Sequence, residues 1–330
     1  MELAVTIGDA NGISLETFVK AISENLNLDE IKYNNFTLFG NRKVINQYIC
    51  QLNLPAKICD CDNTLIIKSK AVKIYDLSYS FDLKLGELSA EAGKLAIMAI
   101  NEATKKTLAG EFDAIVTLPV NKKAINETEV GFIGHTEHIA KMCNVKNPIM
   151  ILFHENLRVV LATTHIPLYL VSRRVTKKRL STLIYHLNRS LRKDFAVEKP
   201  NIAVLGMNPH SGENGLMGKE ELQVIAPALE VMKRKGVNVS GTFAADGFFA
   251  HGSYEKFDAV VAMYHDQGLI PLKLIANGSG VNFTANLPIV RTSPDHGTAF
   301  DMVGKSNVSA KSTLAAIIAA IKIAQNRQRK

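Results

Sequence analysis

Long apolar runs, paired cysteines and stacking aromatics are all missing from this chain, and each absence removes a class of function. No stretch approaches the roughly 18 apolar residues that span a bilayer. The opening MELAVTIGD passes straight into a strand-like segment without the basic region of a secretory signal. Membrane insertion and secretion are therefore not expected, and the cytoplasm is the expected location. The four cysteines, Cys50, Cys59, Cys61 and Cys143, form neither a CxxC pair nor a disulfide framework, which suits a reducing compartment. They read as buried or incidental thiols. Aromatic residues make up 7% of the chain, and no basic stretch is interleaved with them. The net charge of +8 thus comes without the platforms on which nucleic-acid bases stack. Basic groups at 173–174, 177–179 and 327–330 fall in or beside expected helices, where a solvated face is the ordinary explanation. No nucleic-acid partner is expected. A positive field that draws in an anionic small substrate fits the charge better. GxGxxG is also absent, so a Rossmann domain is not indicated.

What is present is a folded α/β chain. With 330 residues, 47% of them hydrophobic, it can bury a substantial core. Strand-like runs alternate with amphipathic helical ones, which predicts largely parallel sheets. Strands are expected at 3–7, 114–117, 149–153, 158–164, 201–207 and 259–264, with a hairpin turn at 154–157. Helices are expected at 15–24, within 87–109 up to Gly110, near 121 and 135–138, and over 176–193, 218–235 and 310–325. There is no repeat, low-complexity tract or flexible linker. Two domains without a linker are expected to be crossed more than once by the chain.

Three histidines stand where strand-like runs break into loops: His165 in ATTHIPL, His210 in GMNPHSGE and His265 in AMYHDQG. The carboxyl edge of a parallel sheet is where α/β proteins place their chemistry. Three imidazoles on one edge leave metal coordination positions open, as a catalytic site requires. For any one of them, the ordinary alternative is a hydrogen-bonded residue at a strand end. Asp246 and Asp266 are the carboxylates expected to attend a metal, directly or by accepting a histidine N–H. His135 and Thr136 follow Gly134 at an expected helix start, where free N–H groups favour an anion. Lys273, Asn282 and Arg291 lie in IPLKLIANGSGVNFTANLPIVRTS, which reads as a loop-rich stretch able to fold over a ligand. Lys supplies a point charge and Arg a bidentate fork for phosphate or carboxylate. In SPDHGTAFD, backbone amides can meet a nucleotide, with His296 and Gly297 as the candidate cofactor contacts.

The runs GHTEHIA, ATTHIPL, GMNPHSGE, AMYHDQG, GVNFTANLPIVRTS and DHGTAFD resemble the motifs of the 4-hydroxythreonine-4-phosphate dehydrogenase (PdxA) family, in the family's order and across nearly the whole chain. DHGTAFDMVGK is also similar to the nucleotide loop of isocitrate and isopropylmalate dehydrogenases. The resemblance implies their two-domain α/β fold with largely parallel sheets and an active site in the interdomain cleft. On that basis 1–130 plus 275–330 form one discontinuous domain, and 131–274 a second carrying the metal site and dimer interface. It implies that His165, His210 and His265 bind a divalent metal (zinc, magnesium, cobalt or manganese). It further implies that His135, Thr136, Lys273, Asn282 and Arg291 contact the substrate, and that NAD or NADP is the cofactor. A homodimer is implied too, with active sites between subunits and the third metal histidine donated by the partner chain.

The implied reaction is oxidation of 4-phosphooxy-L-threonine followed by decarboxylation to 3-amino-2-oxopropyl phosphate, in pyridoxal 5'-phosphate (vitamin B6) biosynthesis. Asp246 and Lys273 are the candidates for general base. A sister dehydrogenase for a threonate or erythronate phosphate is the nearest alternative, and a non-catalytic phosphometabolite-binding protein is another. The chain departs from the family pattern in loops. GDPAGIGPE appears as GDANGISLE, TGPV as TLPV and AADT as AADG, and Asn286 replaces the glycine before LP. These positions bear on loop shape and fine substrate choice.

Overall fold

The computed structural model describes residues 1–59, 62–305 and 307–329. Cys61 and Lys330, singled out above, lie outside the described residues. The strands, in chain order, are β1 (Glu2–Thr6), β2 (Asn35–Gly40), β3 (Ala56–Ile58), β4 (Thr64–Ile67), β5 (Lys70–Asp76), β6 (Ala114–Thr117), β7 (Ile149–His154), β8 (Leu157–Leu161), β9 (Asn201–Leu205), β10 (Asn238–Phe243), β11 (Ala259–Ala262), β12 (Val281–Ala285) and β13 (Arg291–Pro294). Contacts divide the chain into two compact units: Met1–Pro148 with Leu287–Gln325, and Ile149–Asn286 with Asn326–Lys330. Residues 131–148 therefore group with the first unit and 275–286 with the second. Packing explains both. The helix His135–Met142 lies against the helix Ala90–Leu108, and β12 pairs antiparallel with β7.

In the first unit the strand order is β13-β6-β1-β2-β5-β4-β3, with β13, β6, β1, β2 and β5 mutually parallel. All four residues of β6 are buried, as in a central parallel strand covered on both faces. The helix Ala90–Leu108 packs on β1 and β2. It starts where the Ser89 hydroxyl accepts the Ala92 N–H at 3.1 Å and gives way to Gly110 in the left-handed region, as the sequence predicts.

In the second unit the order is β10-β9-β11-β8-β7-β12. The first four strands are parallel, and β7 joins β8 and β12 antiparallel. The expected β7–β8 hairpin is present, turned at Glu155 with φ +50°. The apolar core of this unit gathers Leu152, Val159, Leu161, Leu205, Val260 and Leu272, among others.

The segment read as loop-rich is instead a helix, His265–Ala276, followed by β12 and β13. Pro271 lies inside that helix, at an intrinsic cost of about 3 kcal/mol. The helix persists because Leu269, Leu272 and Ala276 are buried against β7, β8 and β11. Tertiary burial thus outweighs the local breaker. Among the described residues, no helix is long and apolar enough to cross a membrane. Cys50 is exposed and Cys59 and Cys143 are half-buried, which fits incidental rather than buried thiols.

Candidate active site

In the second unit, β11 lies between β8 and β9, and the parallel alignment of all three brings their carboxyl ends to one edge. His165, His210 and His265 each follow one of these ends. His165 and His265 face each other, with ring centroids 6.2 Å apart and planes tilted by 44°. His265 opens its helix, and its Nδ1 lies 2.7 Å from Asp266 Oδ1. A carboxylate on Nδ1 fixes the tautomer that leaves Nε2 as a lone-pair donor, the usual support for a metal-binding imidazole. Among the described residues, no three His, Cys, Asp or Glu side chains come close enough to hold one ion, so His210 does not join the pair within a single chain. The facing pair and its supporting carboxylate suit a borderline divalent cation completed by a further donor.

His210 sits on an unusual turn. Residues 210–214 all have positive φ, and only Gly212 among them is glycine. Such a run is unfavourable for residues bearing a Cβ and persists only where the surroundings over-determine it. The main external brace is Glu221, which is 3% exposed. Its Oε1 accepts the N–H groups of Met207 and Asn208 at 2.7 and 2.8 Å, and its Oε2 accepts Asn208 Nδ2 at 2.9 Å. Burial pushes the Glu221 carboxyl up, but the hydrogen bonds from Asn208 and Met207 outweigh it and hold the pKa below the ordinary value. On the other side of the turn, Ser211 bonds Thr242.

The first unit holds a second constellation. Arg291, the first residue of β13, is 1% exposed and directs Nε and Nη2 to the Thr117 hydroxyl oxygen at 2.9 and 2.6 Å. Burial, partly offset by Glu137, lowers its pKa to about 9, so it stays cationic at neutral pH. His135 opens the helix His135–Met142 after an extended Gly134. Its Nε2 is enclosed without a hydrogen-bond partner. Burial first, then the positive charges of Arg291, His138 and Lys122, hold its pKa well below the ordinary value. A neutral ring with an unused buried nitrogen is suited to a ligand oxygen. Thr136 is the second residue of the same helix.

His296 has the same character. Its Nδ1 lies 2.9 Å from the Gly297 carbonyl, its Nε2 is enclosed without a partner, and burial lowers its pKa despite Gly297 and Asp295. The segment carrying it rests on GDANGISLE. Ile13 N–H donates to the Thr298 carbonyl at 3.0 Å, and Gly304 N–H to Glu16 Oε2 at 3.1 Å.

Of the remaining predicted residues, Lys273 lies on the exposed side of the helix His265–Ala276 and Asp246 is exposed on the short helix Ala245–Ala250. Asn282 lies in β12, with its Oδ1 enclosed and unpartnered. Asn286 has φ +65°. It holds a left-handed conformation that asparagine tolerates better than most residues, so the departure from glycine keeps the turn. Sequence reasoning missed Glu221, Thr117 and Gln267. Gln267, inside HDQG, and Thr117, in TLPV, carried a signal by adjacency.

The family described as pyridoxal phosphate biosynthetic protein PdxA matches residues 32–320. A 4-hydroxythreonine-4-phosphate dehydrogenase of Bacteroides thetaiotaomicron is 38% identical, over 100% of this chain and 90% of its own length. A D-threonate 4-phosphate dehydrogenase of Pectobacterium atrosepticum is 37% identical, over 98% and 99%. The crystal structure of 4-hydroxythreonine-4-phosphate dehydrogenase from Klebsiella pneumoniae superimposes with a TM-score of 0.83 at 37% identity, covering 98% of this chain and 99% of that one. With the family match running over residues 32–320 and relatives matching along the full chain, the chain belongs to the PdxA family.

Proposed function

We propose that the chain oxidises 4-phosphooxy-L-threonine at its 3-hydroxyl with NAD or NADP and a divalent metal, and that the product loses carbon dioxide to give 3-amino-2-oxopropyl phosphate on the way to pyridoxal 5'-phosphate. The observation that carries this reading is the full-length likeness to named 4-hydroxythreonine-4-phosphate dehydrogenases, joined to a facing His165–His265 pair. When bound, the metal supplies a Lewis acid at the substrate oxygen and the nicotinamide accepts the hydride.

The chain's own residues bind and orient. His165 and His265 hold the cation, and Asp266 fixes the His265 ring. Arg291, Lys273 and the N–H groups around His135 and Thr136 match the charges of phosphate and carboxylate. Asn282 and the neutral His135 offer polar atoms with no partner inside the protein. His296 and Gly297 are assigned to the cofactor, and Asp246 or Lys273 to the proton taken from the substrate.

The third metal histidine is assigned to the partner chain of a homodimer, so that the three histidines complete one site between subunits. A dimer is further supported by exposed Leu168, Tyr169, Leu216, Ile270 and Leu274 in the second unit, since apolar surface of this kind marks interfaces. The absence of a disulfide framework in the cysteine spacing suits a cytoplasmic enzyme.

A sister activity on D-threonate 4-phosphate is the second reading, favoured by the relative from Pectobacterium atrosepticum and by the altered GDANGISLE and AADG loops. The test is reduction of NAD or NADP with each substrate, using protein as isolated, after chelation, and after return of zinc, magnesium or cobalt. Metal-dependent turnover of 4-phosphooxy-L-threonine that vanishes in His265→Ala is the expected result. Preference for the threonate phosphate establishes the second reading, and no turnover of either substrate overturns both.

A further inference from the structure

We infer that Gln267 is a positioning residue that ties the His265 loop to the His210 loop across the carboxyl edge of β9 and β11. The inference rests on reading these histidines as metal ligands. Main-chain pairing of β11 runs to Ala262 opposite Leu161 of β8, and to Val261 opposite Val204 of β9. The last backbone bond on the β8 side is Ala162 N–H to the Ala262 carbonyl at 2.8 Å. Beyond it, twisted strands diverge, and the histidine-bearing loops need another tie.

Two side chains provide one. Thr163, buried and two residues before His165, donates its hydroxyl to the Met263 carbonyl at 2.6 Å. Met263, two residues before His265, donates its N–H to Gln267 Oε1 at 2.7 Å. Gln267 Nε2 then donates to the Gly206 carbonyl at 2.6 Å, four residues before His210. Gly206 N–H in turn donates to the Phe243 carbonyl of β10 at 2.8 Å. A continuous chain of hydrogen bonds therefore links the ends of β8, β11, β9 and β10, and the amide at its centre serves because it accepts at one atom and donates at the other. Gly268 sets its height. A Cβ there would stand 2.6 Å from Val159 Cγ1 and 2.9 Å from Ala262 Cβ, so the helix approaches the sheet closely enough for Gln267 to span both strands.

The ordinary explanation for a glutamine at the third position of a helix is a cap, whose oxygen reaches back to an N–H before the first turn. A cap needs only the acceptor, and glutamate serves it as well. The bond to Gly206 is what a cap does not account for, and Gln267→Glu separates the two roles. It keeps an acceptor for Met263 and faces the Gly206 carbonyl with a second acceptor.

The experiment uses the full-length protein, Gln267→Glu and Gln267→Leu, with two readouts. Hydrogen exchange on the metal-free proteins should rise over 206–217 in both variants, and over 263–267 in the leucine variant alone. Co²⁺ affinity, titrated by visible absorption, should fall about 10- to 100-fold in both, the usual loss when a supporting group around metal ligands is removed. A glutamate variant with wild-type exchange over 206–217, or with Co²⁺ affinity within about twofold of wild type, overturns the tie and leaves a simple cap. Wild-type protein that binds no Co²⁺ overturns the metal reading instead, while exchange in the metal-free proteins still decides the role of Gln267. Should the leucine variant fail to fold, the glutamate variant decides alone.

Discussion

Asp9 shows how a single buried carboxyl can set a pH dependence. It follows β1 in the GDANGIS loop, is fully buried, and accepts the Asn11 N–H at 3.0 Å. Burial raises its pKa to about 6, more than the N–H groups of Asn11 and Asn121 lower it. The folded protein therefore binds this proton more tightly than the unfolded chain, whose value is near 3.8. The group's contribution to stability is full below that value and is lost as pH rises through about 6. Asp9→Asn keeps an oxygen for Asn11 and removes the ionisation. Urea unfolding should show the variant more stable than wild type by up to about 3 kcal/mol above pH 7. The gain should disappear below about pH 4. Identical differences at every pH would show that Asp9 stays protonated or finds a cation.

At the scale of elements, the left-handed turn at 210–214 depends on a residue supplied from outside it. Glu221 opens a short π-helical segment, Glu221–Ile225, a distortion common at functional sites, and its carboxylate reaches back to Met207 and Asn208. Hydrogen bonds to a charged acceptor are worth roughly 1.5–3 kcal/mol, so Glu221→Ala should destabilise the protein by about 2 kcal/mol or more. Because the folded pKa is depressed, this support is complete above the ordinary value near 4.5 and is lost as pH falls below it. Acid should therefore loosen 206–217 in the wild type and have little further effect there in Glu221→Ala, as read by hydrogen exchange. Acid loosening of equal size in both proteins would remove Glu221 as its cause.

At the scale of the whole molecule, the proposed sharing of the active site between subunits would make assembly and activity inseparable. Ile270 and Leu274 lie one turn apart on the helix His265–Ala276 and are 59% and 76% exposed, so they are the apolar pair to test for the proposed interface. Leu274→Asp should convert a dimer to monomers in light scattering and abolish turnover together, while Leu108→Asp, at an exposed position in the first unit, should leave both intact. A fully active monomer would refute the shared site.

Much of this architecture was legible in the sequence. Period and punctuation gave away β6, the β7–β8 hairpin and the long helix ending at Gly110, because those signals are local. The motif order identified the family, and the three histidines were visible because each interrupts an apolar run. Placement was another matter. Pro271 and the glycines after it signal a loop, and only burial of Leu269 and Leu272 on the sheet makes that stretch a helix. Arg291 reads as a loop cation, yet it is enclosed in β13 because its neighbours pair with β6. Glu221 was silent as a functional residue and Gln267 was marked only by adjacency, since their partners lie 13 or 14 and 61 positions away for Glu221 and for the Gly206 bond of Gln267. Residue identity and local period thus determined the family and those strands and helices whose signals are local. Which polar groups meet was decided only when the chain packed, because hydrogen bonds between distant residues form no pattern along the sequence.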